Sequence, residues 1–230
     1  MGKLIVIEGS DGSGKATQSI RLANKLSSLK FNVKRISFPN YESESSALIK
    51  MFLRGDFGSN PENINPYAIS LFYAVDRFSS FSQDWKDFYE LDNSIIIADR
   101  YSGSNMAYQM IKFKFKKDRL KFINWIKNIE FEKLGLPIPD MTIFLDVSPS
   151  ISAILRKIRG RDDIIESDKP YLNKVYSAYQ ELSSILNWFK IDCSIGNIPK
   201  GILDIENEIF TLVEEHILLD FVKKKLENKK

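Results

Sequence analysis

One stretch near the amino terminus, residues 4–18 with the sequence LIVIEGSDGSGKATQ, constrains the fold more than any other part of the chain. It opens with four apolar residues, Leu4–Ile7, as expected for a strand that is buried on both faces. A glycine-rich turn follows, and apolar residues then recur at helical spacing. The glycines and the lysine match the phosphate-binding loop pattern Gly-x4-Gly-Lys-[Ser/Thr] up to its last position, where Ala16 replaces the hydroxyl residue.

The residue types in this loop suit an anion. Glycines let backbone N–H groups converge on a phosphate, the helix start adds positive potential, and the lysine reaches the β- and γ-phosphates. A glycine-rich turn without a ligand is the structural alternative, but the strand, the spacing and the helix together favour a nucleotide site. The residues predicted to contact ATP are Gly9, Ser10, Asp11, Gly12, Ser13, Gly14, Lys15, Ala16 and Thr17.

Length and composition bound the remaining possibilities. A chain of 230 residues suits one α/β domain, and a net charge of +3 is too small to argue for nucleic acid as a partner. The single cysteine, Cys193, forms no internal disulfide, which favours a reducing compartment and hence the cytoplasm. No apolar run approaches the length of a membrane span, and because a strand is predicted so early, we expect no signal peptide.

Predicted strands and helices alternate along the chain. This alternation predicts an α/β fold in one domain, residues 1–230, with a five-stranded parallel sheet flanked by helices on both faces. In such sheets ligands bind at the carboxyl ends of the strands. The strands are predicted at 4–7, 31–38, 94–98, 140–147 and 189–194. The helices are predicted at 15–29, 46–53, 66–91, 102–133 with a break near 112–118, 149–159, 170–188 and 202–225.

Two groups of charged residues fall near the predicted phosphate site. Asp99 ends an apolar strand, where a carboxylate often holds Mg2+ beside a phosphate loop, although a local ion pair with Arg100 is the alternative. Arg100 has the geometry to clamp a second phosphate. The segment RKIRGR at 156–161 is either a solvated helix end or a source of mobile positive charge for phosphoryl transfer.

The sequence as a whole resembles the bacterial thymidylate kinases, which belong to the nucleoside-monophosphate kinases. The matching pieces keep the family's order and spacing through most of the chain, and this order is far more specific than any single piece. They are EGSDGSGKATQ at 8–18, FPNYES at 38–43, LFYAVDR at 71–77, DRYSGSNMAYQ at 99–109, EFEKLGLPIPD at 130–140 and FLDVSP at 144–149.

The resemblance implies a nucleoside-monophosphate kinase fold of the phosphate-loop class and assigns an acceptor site for thymidine monophosphate. In the family the aromatic of the LFxxxR piece, here Phe72, stacks on thymine, while Arg77 hydrogen-bonds the base and Arg100 holds the monophosphate. Asp11 accepts a hydrogen bond from the deoxyribose 3′-hydroxyl, and Tyr108 crowds a ribose 2′-hydroxyl. The implied acceptor residues are Asp11, Pro39, Phe72, Arg77, Arg100, Ser104, Asn105, Tyr108 and Gln109.

The resemblance also implies a subtype and a catalytic set. Gly12 occupies the loop position where one subtype has arginine, which points to the subtype that supplies arginines from a lid, here residues 156–168. The implied catalytic residues are Lys15, Arg100, Arg156, Arg159 and Arg161. Mg2+ near Asp99 accompanies ATP, and family members commonly form homodimers through helices that would here include part of 66–91.

Three departures from the family pattern concern rate and phosphate contacts. Ala16 replaces a hydroxyl residue, and Asp163–Glu166 lacks an arginine that the family often has in the lid. The segment after Pro39 also lacks an arginine, for which Lys50 or Arg54 could substitute.

The predicted reaction moves the γ-phosphoryl group of ATP to thymidine monophosphate for deoxythymidine triphosphate synthesis. The acceptor's second pKa of about 6 makes a general base unnecessary. A kinase for another nucleotide or nucleoside and a catalytically impaired nucleotide-binding module remain as alternatives. A nucleoside kinase would need a base for a neutral hydroxyl, and Glu8 is the candidate. The preference for thymine over uracil depends on one methyl group and stays open.

Overall fold

The structure is a computed structural model of the chain and describes residues 1–58, 60–159, 169–219 and 221. Its central feature is a five-stranded sheet with the order β2-β3-β1-β4-β5, in which every neighbouring pair is parallel. This confirms the predicted α/β architecture with a five-stranded parallel sheet. The strands are β1 (Lys3–Glu8), β2 (Asn32–Ser37), β3 (Ser94–Asp99), β4 (Met141–Asp146) and β5 (Phe189–Asp192).

Helices connect the strands on both faces of the sheet. The predicted long helix at 66–91 consists of two α-helices joined by a π-helical turn at Phe81–Trp85. The predicted break near 112–118 lies between the helix that ends at Met110 and the helix that begins at Lys116. The helices are α1 (Lys15–Ser28), α2 (Ala47–Arg54), α3 (Pro66–Ser80), α4 (Lys86–Glu90), α5 (Ser102–Met110), α6 (Lys116–Lys127), α7 (Pro149–Arg159), α8 (Lys169–Ile185) and α9 (Ile202–Val213).

The core divides at the sheet. On one face α1 and α9 pack against β1, β3, β4 and β5, with Leu22 and Leu26 on α1 and Ile209 on α9 fully or nearly fully buried. On the other face α5, α6 and α8 enclose a second cluster around Phe144 and Tyr179, whose rings stack. Burial on both faces explains why the central strands read as continuous apolar runs rather than as an alternating pattern.

A short hairpin after β5 was not predicted. Its strands, β6 (Ser194–Ile195) and β7 (Ile198–Pro199), pair antiparallel around Gly196, whose φ of 60° is a conformation that favours glycine. Within the described ranges, none of the helices combines the length and apolarity that crossing a bilayer requires.

Candidate functional site

The phosphate-binding loop connects β1 to α1, as the sequence predicts. Gly14 precedes the helix with a φ of 90°, and a side chain there would be strained. Lys15 is buried and folds back over the loop, where Nζ donates to the Ser10 carbonyl oxygen at 2.7 Å. Burial, together with the nearby charge of Arg100, lowers the pKa of Lys15 to about 7. The lysine is therefore poised to gain a proton when an anion enters the loop.

Arg100 follows the carboxyl end of β3 and adopts a φ of 68°, an unusual conformation for a residue other than glycine. Its Nη2 pairs with Asp11 of the loop. Nη1 donates to the Gly9 carbonyl oxygen at 3.2 Å, to Ser104 Oγ at 3.0 Å and to the Tyr179 hydroxyl at 3.2 Å. The guanidinium is thus fixed between the phosphate loop, α5 and α8, beside the predicted acceptor.

Asp11 is the point where the loop and the acceptor side meet. One carboxylate oxygen accepts from Arg100 and the other accepts from the Tyr108 hydroxyl. The structure therefore brings together three residues that the sequence assigns to the acceptor site. A sugar hydroxyl that binds Asp11 would share these oxygens with Arg100 and Tyr108.

Glu8 has a structural role. Its Oε1 accepts from the backbone N–H groups of Tyr101 and Ser104, both at 2.9 Å, and its Oε2 accepts from Ser104 Oγ at 2.5 Å. The side chain is fully buried, and burial raises the pKa of its carboxyl group. Because the hydroxyl proton of Ser104 goes to Glu8, the Tyr179 hydroxyl donates to Ser104 at 2.8 Å and its own oxygen is left to accept from Arg100. Glu8 therefore caps the amino-terminal end of α5 and is the final acceptor of this hydrogen-bond network.

A cavity of about 860 Å³ opens beside Arg100. Both polar atoms of the Asn105 amide and Oε1 of Gln109 are buried without a hydrogen-bond partner among the described residues. Unpaired buried groups of this kind are costly, and a bound molecule with matching donors and acceptors would satisfy them. The predicted acceptor residues that line this cavity are Asp11, Pro39, Arg77, Arg100, Ser104, Asn105, Tyr108 and Gln109.

Phe72 is the exception among the predicted acceptor residues. It lies against Phe57, with ring centroids 5.5 Å apart, and is not part of the described cavity lining. The next residue, Tyr73, does line the cavity. Consecutive side chains on a helix point about 100° apart, so Phe72 and Tyr73 lie on different faces of α3. The contact of Phe72 with the base therefore stays a prediction, and Tyr73 is the aromatic residue of α3 that lines the cavity.

Arg77 reaches the same cavity and carries a partner that the sequence does not reveal. Its Nε and Nη2 donate to the two carboxylate oxygens of Glu130, at 2.8 and 2.5 Å. Both side chains are almost fully buried, with exposed fractions of 2% and 1%. The pair is bidentate, which fixes the plane of the guanidinium. Nη1 is the nitrogen that Glu130 leaves to other acceptors.

The loop that follows β2 is held by Asp76, which sequence reasoning missed. This buried carboxylate accepts from the Asn40 backbone N–H at 3.0 Å and from Ser45 Oγ at 2.7 Å. The contacts place Pro39 and its neighbours against the cavity. Of the two cations considered as substitutes for the absent arginine, Arg54 lines the cavity.

Lys50 instead donates to the Tyr41 carbonyl oxygen at 3.0 Å, and it is not among the described cavity residues.

The residues available for a metal ion are few. Asp99 ends β3 and is nearly buried. Its negative charge lies close enough to Lys15 to offset part of the lowering of the Lys15 pKa. It pairs with Arg35, Nη2 to Oδ2 at 3.1 Å, and not with Arg100 as the structural alternative supposed. Ala16 offers no ligand, and the described residues contain no cluster of three or more His, Cys, Asp or Glu side chains suited to a metal. One carboxylate fits Mg2+ that is carried on nucleotide phosphates and water, rather than a metal held in a protein cage.

The predicted lid lies largely outside the described residues. Arg161 and residues 160–168 are not described, and neither are the side chains of Arg156 and Arg159 at the end of α7. The first part of α7, which precedes the predicted lid, is described. There Ser152 Oγ donates to the Asp11 carbonyl oxygen at 2.6 Å. This contact anchors α7 to the phosphate loop.

Comparison with known proteins identifies a matching family and similar chains. A family model described as Thymidylate kinase matches residues 7–198. A thymidylate kinase of Prochlorococcus marinus, strain NATL2A, is 32% identical over 219 residues, which cover 93% of this chain and 98% of the relative. A thymidylate kinase of Mycobacterium tuberculosis, strain H37Rv, is 30% identical over 192 residues, covering 79% of this chain and 86% of the relative.

Proposed function

Because this chain belongs to the thymidylate kinase family, we propose that it binds ATP at the Gly9–Thr17 loop and thymidine monophosphate in the adjoining cavity. It transfers the γ-phosphoryl group of ATP to the monophosphate and releases ADP and thymidine diphosphate. The observation that carries the acceptor assignment is the set of unsatisfied buried amide atoms, both polar atoms of Asn105 and Oε1 of Gln109, in a cavity that Arg100 also lines. A pyrimidine presents both donors and acceptors at its edge and suits these amides.

The roles follow from the arrangement of charges. Lys15 and the loop amides contact the donor phosphates. Arg100 contacts the acceptor phosphate through the guanidinium edge that its protein partners leave open, and Arg77 contacts the base through Nη1. Tyr73 supplies the ring against thymine in place of Phe72. Arginines of the lid, Arg156, Arg159 and Arg161, are proposed to cover the group in transfer, a role supported by their sequence position and by the anchoring of α7 on the loop.

Mg2+ is proposed to accompany ATP and to lie near Asp99. When bound it neutralises charge on the donor phosphates, and the protein side of that site is limited to this carboxylate. A cytoplasmic location is proposed with the function, supported by the single, buried thiol of Cys193.

A homodimer is proposed as the working assembly. Its support is a row of exposed apolar side chains on α3, Leu71, Val75 and Phe78, which are 41%, 52% and 41% exposed. Their spacing of four and three residues places them on one face of the helix.

The occupation of Glu8 disfavours the alternative of a nucleoside kinase. Such an enzyme needs a base for a neutral hydroxyl, and this carboxylate already accepts three hydrogen bonds within the protein. The monophosphate, in contrast, is largely deprotonated near neutrality and needs no base.

The test is ADP release from the purified chain with MgATP and one acceptor at a time: thymidine monophosphate, deoxyuridine monophosphate, deoxyguanosine monophosphate or thymidine. We expect rapid release with thymidine monophosphate and none above background with thymidine. Binding of ATP without release under any condition would favour the impaired binding module instead. A preference for deoxyguanosine monophosphate would overturn the assignment of the acceptor.

A further inference from the structure

The contact between Arg35 and Asp99 adds an unexpected charge beside the phosphate loop. Arg35 lies on β2, where its backbone pairs with Ile97 of β3. Its Nη2 donates to Asp99 Oδ2 at 3.1 Å, and its Nε donates to Ser19 Oγ at 2.7 Å. Ser19 lies on α1 and in turn donates to the Ala16 carbonyl oxygen at 3.0 Å. The guanidinium therefore bridges Ser19 of α1 and the end of β3.

This bridge coincides with a second change in the same place. Ala16 stands where a phosphate-binding loop ordinarily supplies a hydroxyl ligand to the metal ion. The carboxylate of Asp99 interacts with two cations. Arg35 donates a hydrogen bond to one of its oxygens, and Lys15 lies close enough for an electrostatic interaction. The two positions from which the phosphate-loop pattern supplies Mg2+ contacts are thus both weakened, residue 16 by substitution and Asp99 by its ion pair with Arg35.

Resting on the function proposed above, we propose that Arg35 is a positioning residue that holds Asp99 and limits its interaction with the metal ion. The metal is then carried mainly on the nucleotide phosphates and water, and the fixed charge of Arg35 contributes part of the positive potential that the metal would otherwise supply near the loop. The half-buried guanidinium keeps this charge in a region of reduced dielectric, where a neighbouring charge acts more strongly than in water.

The proposal predicts how tightly the protein–nucleotide complex holds a divalent ion. Mn2+ serves as the probe, because its free concentration is measured directly by electron paramagnetic resonance, and ADP serves as the nucleotide, because no turnover occurs. Replacement of Arg35 by methionine removes the charge and keeps an apolar stem of similar length. We expect Arg35→Met to bind Mn2+ about tenfold more tightly in the ADP complex than the unchanged chain.

Two further variants locate the effect. Asp99→Asn in the Arg35→Met background should return the Mn2+ affinity to that of the unchanged chain, because the freed carboxylate is lost. Lys34→Met is the matched control, since Lys34 is the neighbouring cation on β2 and pairs instead with Asp84 at 2.6 Å. We expect Lys34→Met to leave the Mn2+ affinity unchanged.

Ser19→Ala guards against a folding defect in Arg35→Met. It removes only the hydroxyl that orients the Arg35 Nε and should tighten Mn2+ binding in the same direction by a smaller factor. Unchanged or weaker Mn2+ binding in a folded Arg35→Met, or in Ser19→Ala where Arg35→Met does not fold, overturns the inference. ADP affinity in excess chelator is measured in parallel. If the unchanged chain does not bind ADP, this result counts against the proposed function. If Arg35→Met binds Mn2+ no more tightly than the unchanged chain, this result overturns only the role of Arg35.

Discussion

The aromatic side chains of α3 show how finely a site depends on single residues. Tyr73 lines the acceptor cavity, whereas Phe72 packs against Phe57. Stacking of an aromatic ring on a nucleic-acid base is worth roughly 1–3 kcal/mol when it is lost by alanine substitution. We therefore expect Tyr73→Ala to raise the KM for thymidine monophosphate by about tenfold or more, while the KM for ATP changes little.

Phe72→Ala is the control for this prediction, because it removes a ring from the same helix without opening the cavity. Steady-state kinetics with each substrate varied in turn provide the measurement. A larger rise in the KM for thymidine monophosphate in Phe72→Ala than in Tyr73→Ala would restore the assignment made from sequence.

The protonation of Lys15 gives a second prediction at this scale. Burial lowers its pKa to about 7 in the nucleotide-free protein, from an ordinary value of 10.5. Between these two pH values the folded chain therefore carries fewer protons on Lys15 than the unfolded chain does. This residue consequently makes the free protein more stable as pH rises through that window. Bound phosphates reverse the balance, because their negative charge favours the protonated amine.

Nucleotide binding should accordingly take up a proton, and ADP affinity should fall as pH rises from about 7 to about 9. Calorimetry near pH 8 in two buffers with different ionisation enthalpies measures the uptake, and the nucleotide phosphates, with a pKa of about 6, contribute little there. Equal apparent binding enthalpies in the two buffers would contradict the prediction.

Sequence patterns indicated the phosphate loop and most of the residues that line the cavity, because these residues lie in short, ordered motifs. Lys15, Asp11 and Arg100 come together as expected. Partners that are distant in sequence could not be found in this way. Arg35 and Asp99 are 64 residues apart, and only the pairing of β2 with β3 brings them together.

At the scale of elements, the buried pair of Arg77 and Glu130 joins α3 to the π-helical turn Asn128–Lys133 that follows α6. Removal of one member leaves the other charge buried without its partner, which typically costs about 3–5 kcal/mol. We expect Glu130→Ala to lower the free energy of unfolding by this amount in urea titrations. The variant should also raise the KM for thymidine monophosphate, because the Arg77 plane is no longer fixed.

The double variant Arg77→Met with Glu130→Met separates stability from recognition. It removes both charges and should recover much of the lost stability, since well-packed apolar groups often replace a buried ion pair without penalty. Its affinity for thymidine monophosphate should remain low. Recovery of that affinity would show that Arg77 does not contact the base.

The elements themselves were predicted well where burial is uniform and poorly where they are short. Continuous apolar runs identified the three central strands, β1, β3 and β4, because a strand covered by helices on both faces has no polar side. The outer strands, β2 and β5, are less buried and mix charged with apolar residues, so no continuous run marks them. The β6–β7 hairpin has two-residue strands, too short for a periodic pattern. Its turn residues, Gly196 and Asn197, were nevertheless a signal that could have been used.

At the scale of the whole molecule, the exposed apolar face of α3 presents Leu71, Val75 and Phe78 next to a site that the same helix helps to build. Tyr73 and Arg77 project from α3 toward the cavity, so a partner packed on the other side of this helix would steady both. We expect the chain to be a dimer in sedimentation equilibrium. Val75→Glu, which places a charge in the centre of the exposed row, should shift it to monomer at micromolar concentration.

The kinetics of the monomer distinguish a functional dimer interface from non-specific association through apolar side chains. If dimerisation steadies α3, the Val75→Glu monomer should show a higher KM for thymidine monophosphate and an unchanged KM for ATP, because the phosphate loop belongs to β1 and α1. Ile195→Glu is the control, since Ile195 is also exposed, at 72%, but lies on the β6–β7 hairpin. A monomeric unchanged chain would contradict the proposed dimer, and loss of the dimer in Ile195→Glu but not in Val75→Glu would place the interface elsewhere.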